Sequence, residues 1–470
     1  MDLTYAPPAD LQARPTIATR YVGALGVCLL GYALLGKTFA YVGVAPVYIG
    51  EVMLAIGIGV ALTMGRIGQA FSAWPLRLWA LLLVWTLIRT VPYVAIEGID
   101  APRDAMVVVY GLYAVVVASV LLSEPERLRD LMAKYRSLAV VMLLLVGAVY
   151  GVTKLLGGGM PTLPWAPEVA LLNAKGGDLM VQMTGIVAFL MLGGMRLSPW
   201  AVALAVFNVS VIMVSNRGGM VAFALGMGLV WLMRPSGTGA TRFVYAMALL
   251  VIVAALVGPM IDVKIQGGTR SISIEQVVEN VRSVFGNSGS NALDGTKRWR
   301  LLWWGKIVDY TFSGPYFWTG KGFGLNLAES DGFTLGEVDE GLRSPHNGHM
   351  TILARSGVPG LVLWTALHLS WFGMVLFAWG RARLQDHRRW MALFAWLAGF
   401  WVAALVNASF DVYLEGPMGG IWLWSVIGAG VAAVRLHRTR PELLDPLDLT
   451  LPRTSDVHNA RSAAPSFSWF

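Results

Sequence analysis

The chain has 470 residues, of which 56% are hydrophobic and only 14% charged, with 19 tryptophans and a mean hydropathy of +0.61. This balance excludes a soluble enzyme and predicts an all-α polytopic membrane protein. Its one cysteine, Cys28, excludes a disulfide framework and a cysteine metal centre, and the net charge of +8 is read as membrane topology rather than as nucleic-acid binding.

A polar tail, residues 1–20, carries Arg14 and Arg20. The apolar stretch after it is too long for a signal-peptide core and lacks a small-residue cleavage site, so it reads as the first span. Windows of bilayer length predict about twelve spans: Tyr21–Ala40, Val47–Met64, Leu76–Tyr93, Ala105–Leu122, Leu138–Leu156, Leu179–Met195, Trp200–Ser215, Gly219–Met233, Phe243–Ile261, Val358–Trp379, Trp390–Ala408 and Met418–Val434. The third is the least regular, interrupted by Arg89 and Pro92, and the eighth is short.

Loop charges alternate. Arg66 and Arg77, then Arg127, Arg129, Lys134 and Arg136, then Arg196, Arg234 and Arg242, then Arg381, Arg383, Arg388 and Arg389, and finally Arg435, Arg438 and Arg440 mark one side as cytoplasmic. The other side carries Glu97, Asp100, Asp104, Glu168, Asp178, Asp411 and Glu415. The expected organisation is therefore a cytoplasmic tail (1–20), spans one to nine (21–261), a large outer loop (262–345), spans ten to twelve (346–434) and a cytoplasmic tail (435–470). Inside the large loop, Ile274 to Phe285 repeat at helical spacing behind a capping box of Ser273 and Gln276, and a second helix is expected over Arg298–Tyr310. The glycine-rich turn Thr319-Gly-Lys-Gly-Phe-Gly324 is not a nucleotide loop, because Gly322 stands where Ser or Thr is required.

Two stretches carry candidate chemistry. In Val214-Ser-Asn-Arg-Gly-Gly219 an arginine sits between two spans with almost no loop, a costly position unless it faces a wet cavity or an anion. Its planar fork suits a phosphate or pyrophosphate, and Gly218 and Gly219 permit close backbone approach; the plainer reading is a snorkelling side chain. Lys175, Asp178, Arg298 and Arg300 read either as solvated or as members of the same anion site. In Gly341–Gly360 the loop becomes a membrane helix: Pro345 ends the loop, Asn347 opens a helix, and Gly357, Pro359 and Gly360 punctuate the next span. His346, at that junction, is a candidate general base or a plain interfacial residue. His346 and His349 share a helical spacing suited to a metal, but no third ligand stands at fixed spacing.

Taken in order, Ser215-Asn-Arg-Gly218, Arg300-Leu-Leu-Trp-Trp304, the Gly320-Lys-Gly-Phe-Gly324 turn, His346-Asn347 and Gly357-Val-Pro-Gly360 resemble the O-antigen ligase and polymerase superfamily of bacterial membrane glycosyltransferases. The likeness covers Asn173 to Val434 and extends to the first five spans only by architecture. It implies a C-type membrane glycosyltransferase of the inner membrane, involved in lipopolysaccharide or other surface polysaccharide biosynthesis. Such an enzyme moves a glycan from an undecaprenyl-pyrophosphate donor to a lipid or glycan acceptor hydroxyl at the periplasmic face. It further implies Arg217 as the pyrophosphate-holding arginine, supported by Arg300, Arg298 or Lys175, and His346 as the base, with no cofactor, nucleotide sugar or metal required. A ligase is preferred to a polymerase of the same superfamily. A transporter or flippase is the alternative of another class, against which the spans carry neither paired broken helices nor a row of midplane charges.

Overall fold

A computed structural model describes residues 16–213, 216–237, 241, 245, 266–267, 270–271, 291–334 and 342–444. The chain is an all-α polytopic membrane protein: helices dominate, and the strands among the described residues form three two-stranded ribbons. In chain order the principal helices are α1 (Ile17–Leu35), α2 (Ile49–Met64), α3 (Trp74–Glu97), α4 (Asp100–Val109), α5 (Leu112–Ser123), α6 (Arg127–Leu156) and α7 (Gly176–Met191). They continue with α8 (Pro199–Met213), α9 (Arg217–Met233), α10 (Asn291–Val308), α11 (Gly348–Leu384), α12 (Arg388–Ala408) and α13 (Pro417–Thr439).

Eleven of the twelve expected spans fall on helices. Seven helical stretches are long and apolar enough to cross a membrane, and four more, α2, α7, α8 and α9, are shorter apolar helices. The ninth expected span, Phe243–Ile261, lies almost wholly outside the described residues, as does the amphipathic segment around Ile274–Phe285. α13 is central, with 89% of its apolar window buried, whereas α3 has 22% buried and turns Leu81, Val84, Ile88 and Val91 outward, as a lipid-facing helix should.

The bundle is joined by tryptophans. A buried indole N–H must find an acceptor, and here it takes the spare lone pair of a carbonyl on the neighbouring helix: Trp79 donates to Val108, Trp422 to Leu29, Trp371 to Ile427 and Trp396 to Gly185, all at 2.9–3.0 Å. α9 and α12 cross closely because Gly226 and Gly399 face each other; a Cβ at Gly226 would lie 2.9 Å from the Gly399 carbonyl oxygen.

Two expectations at span boundaries are corrected. Arg89 and Pro92 do not interrupt α3, because Arg89 Nε reaches the Thr319 carbonyl oxygen at 2.7 Å and so carries its charge to the loop. α11 begins at Gly348, ten residues before the expected start at Val358, and the punctuation at Gly357 is a break within it. The break has a physical account. Pro359 has no N–H, and Val358 N donates instead to Phe317, so the carbonyls of Ala354 and Arg355 lose their helical partners. Lys321 N and Gly322 N of the glycine-rich turn take them at 2.7 and 2.9 Å. Gly320 (φ 60°) and Gly357 (φ 68°) press backbone to backbone there, where a Cβ on Gly320 would lie 2.4 Å from the Arg355 carbonyl carbon.

The expected helix over Arg298–Tyr310 is present as α10, which starts earlier and passes into a π-turn at Asp309–Ser313. It does not lie free on the surface. Trp303 and Ile307 pack with Leu327, Ala328, Leu353 and Ala354 in a second core that fastens this part of the loop to α11.

Candidate active site

At one end of the bundle α7, α9 and α11 begin and α12 ends, and the turn that follows α12, Ser409 to Gly416, lies among them. The glycines of two sequence motifs make this possible. In Lys175-Gly-Gly-Asp178, a Cβ on Gly177 would fall 2.5 Å from Asn407 Oδ1, and one on Gly176 would fall 3.2 Å from Asn216 Cβ. In Asn216-Arg-Gly-Gly219, Gly218 packs on Phe410 and Gly219 on Met180. The close approach foreseen for Gly218 and Gly219 is thus to protein side chains. Asn216 caps α9 by accepting from Gly219 N at 2.6 Å, which fixes Arg217, half-buried, as the first helical residue.

Three side chains then meet at Phe410 and Asp411. His346 Nδ1 stands 3.6 Å from Asp411 Oδ1, and Lys175 Nζ stands 3.7 Å from the same oxygen. Arg300, on α10, donates from Nη1 to the Phe410 carbonyl oxygen at 2.9 Å while its Nε is buried without a hydrogen-bond partner. Gly218, the residue after Arg217, packs on Phe410. Arg298 is exposed, two residues before Arg300 and therefore on another face of α10.

The geometry around His346 is constrained from both sides. Trp304 Nε1 donates to the Pro345 carbonyl at 2.8 Å, and Asn347 caps α11 by accepting from His349 N and Met350 N. Between them His346 adopts φ 51°, the left-handed region that a non-glycine residue enters at a cost and that often marks a site. His349 turns the other way: its Nδ1 accepts from Trp364 Nε1 at 3.0 Å, so its Nε2 carries the proton facing the Leu405 carbonyl at 3.1 Å. The two histidines do not converge, and among the described residues no group of three His, Cys, Asp or Glu side chains is arranged to hold a metal.

The electrostatics follow from burial and pairing. Burial raises the Asp411 carboxyl, but His346, Lys175 and the Val412 N–H outweigh it and hold the group well below the usual carboxylate range. For Lys175 burial lowers the ammonium value, yet Asp411 and Asp178 together leave it raised. Burial lowers the Arg300 guanidinium from its ordinary value, with Asp411 acting in the opposite sense. Asp411 is thus faced by His346, Lys175 and Arg300, while Lys175 also faces the carboxyls of Asp178 and Glu415.

Sequence reasoning used Asp411 only as a topology marker and passed over Phe410. A signal existed: a carboxylate three residues past the C-terminus of α12 opposes the helix dipole, so its position calls for compensating cations.

The O-antigen ligase family model matches residues 200–365, the stretch that holds Arg217, Arg300 and His346. No curated protein matches the chain. Over that stretch the chain is similar to the O-antigen ligase family, a likeness that supports an activity of the O-antigen ligase and polymerase type.

Proposed function

We propose that the protein transfers a glycan from an undecaprenyl-pyrophosphate donor to an acceptor hydroxyl at the periplasmic face of the inner membrane, as an O-antigen ligase. The observation that carries this reading is the meeting of His346, Lys175 and Arg300 on the Phe410–Asp411 turn, at the end of a membrane bundle beside Arg217. Arg217 and Arg300 are the principal ligands of the donor pyrophosphate, with Lys175 in support.

His346 acts as base. In this reading Nδ1, 3.6 Å from Asp411, carries the ring proton, and the Nε2 lone pair removes the proton of the acceptor hydroxyl. The acceptor oxygen bonds to the anomeric carbon as the carbon–oxygen bond to the pyrophosphate breaks. The leaving undecaprenyl pyrophosphate keeps the electron pair, and the arginines offset its charge. No step requires a metal or a nucleotide.

The test separates chemistry from donor binding. In nanodiscs, His346→Ala is expected to lose turnover roughly a hundredfold or more while retaining donor. Arg217→Lys is expected to fail despite its charge, since a point cation does not reproduce a bidentate fork. An active His346→Ala enzyme, or normal transfer by Arg217→Lys, removes that residue from the mechanism.

A further inference from the structure

On the opposite half of the bundle, away from the Asp411 turn, a cleft of about 660 Å³ opens between the middle of α6, the turn after α7 and the start of α8. Its two ends differ in chemistry. One end holds Arg136, Arg196 and Ser198; the other is lined by Val140, Leu143, Leu144 and Leu204. The polarity changes along the helices: from Arg136 to Leu144 α6 rises roughly 12 Å at about 1.5 Å per residue. The first turns of α6 carry Arg127, Arg129, Lys134 and Arg136 and the turn before α8 carries Arg196, so the polar end lies where lipid headgroups lie and the apolar end runs toward the bilayer centre.

Arg127 and Arg129 are paired with Glu124, Asp130 and Glu126. Arg136 braces the turn after α7, its Nε donating to the Gly194 carbonyl at 3.1 Å, which fixes its guanidinium at the cleft mouth. Arg196 is exposed and has no carboxylate partner among the described residues. Trp200, 80% exposed at the rim, has the position of an interfacial aromatic residue. Ser198 accepts from Ala201 N at 3.2 Å and sets the start of α8, whose N-terminal dipole adds to the positive field.

We propose that this cleft binds one anionic phospholipid of the leaflet that faces the basic loops, with its phosphate on Arg136 and Arg196 and one acyl chain along Val140, Leu144 and Leu204. The match is of charge at one end and apolar length at the other. A free phosphate would use only the first, and a neutral lipid only the second. The site is independent of the glycan-transfer reading.

Native mass spectrometry of the intact protein, incubated in detergent with palmitoyl-oleoyl phosphatidylglycerol or the matching phosphatidylcholine, tests it. Wild-type protein is expected to retain one phosphatidylglycerol at least tenfold more tightly than phosphatidylcholine. Arg196→Glu, at an exposed position, should weaken that retention about fivefold or more, the scale of one interfacial arginine. Ala201→Trp, which fills the cleft without changing charge, should lower retention of both lipids. Melting temperatures of both variants identify any loss that comes from misfolding. Equal retention of the two lipids, unchanged retention in Arg196→Glu with a normal melting temperature, or detergent alone in the cleft overturns the proposal. Stronger retention of undecaprenyl phosphate than of phosphatidylglycerol would reassign the cleft to a polyisoprenoid and overturn it equally.

Discussion

Two ionic clusters lie where the large loop passes into α11, and they differ in how tightly their charges are paired. In the first, Lys321 and Asp331 are both buried: Lys321 Nζ donates to Asp331 Oδ1 at 2.5 Å and to Ser330, and sits over the rings of Tyr310 and Tyr316. Asp331 also accepts from Trp303 Nε1 at 2.7 Å. Next to it, Arg355 holds Asp104 at 2.8 Å, and Arg343 spans Asp100 and Asp104. In the second cluster the Asp411 carboxylate stands 3.6 Å from His346 and 3.7 Å from Lys175, longer than the 2.5, 2.8 and 2.9 Å contacts of Lys321, Arg355 and Arg343 in the first; each cluster has one buried guanidinium nitrogen without a hydrogen-bond partner, Arg343 Nε and Arg300 Nε. The closed cluster is scaffold. The open one has interaction capacity left over, which is what a charged substrate needs.

The largest expected effect comes from opening the closed cluster. Asp331→Ala leaves Lys321, Trp303 and the α10 end without their shared acceptor inside the second core, and should cost roughly 3–5 kcal/mol of stability, as for other buried pairs broken on one side. Thermal unfolding in detergent measures it, and a variant as stable as wild type would deny the cluster its scaffold role. A smaller loss is expected for Gly320→Ala, because the positive φ and the contact with the Arg355 carbonyl carbon allow no Cβ. That strain is worth roughly 1–3 kcal/mol. The same unfolding assay checks it, and Gly332→Ala, where a Cβ meets nothing, is the control for positive φ alone (72°).

Much of this comparison was legible in the residues and some was not. Span positions follow from composition, because lipid forces long apolar helices, and Asn347 and Asn216 announced their helix starts by their capping chemistry. His346 and Arg217 stood out because a polar group between spans is costly without a purpose. Asp411 did not, since a carboxylate in a short loop is ordinary until the chain brings Lys175 and His346 to it across 236 and 65 residues. The glycine-rich turn was equally mute. Its amides serve the carbonyls freed by Pro359, a relation that local pattern cannot express because the two segments lie more than thirty residues apart.

The smallest effect concerns Asp411 itself and sharpens the line between the two clusters. Asp411→Asn keeps the shape of the turn and removes the charge, so it should leave the fold intact while lowering turnover on the order of tenfold, about 1.4 kcal/mol in transition-state terms. The pH dependence of stability carries the sign. Burial raises this carboxyl, but His346, Lys175 and the Val412 N–H depress it further, so its folded value lies below the unfolded value of about 3.9. Between those two values the unfolded chain binds the proton first, and acid therefore favours unfolding. The contribution of Asp411 to stability should be present in full above the unfolded value and be lost as the pH falls through the folded one. The stability difference between wild type and Asp411→Asn, followed by unfolding from pH 8 downward, should accordingly stay constant to about pH 5 and shrink below about pH 4. A difference that grows toward acid would mean that the carboxyl is raised rather than lowered in the folded protein, and that His346 and Lys175 do not compensate its charge.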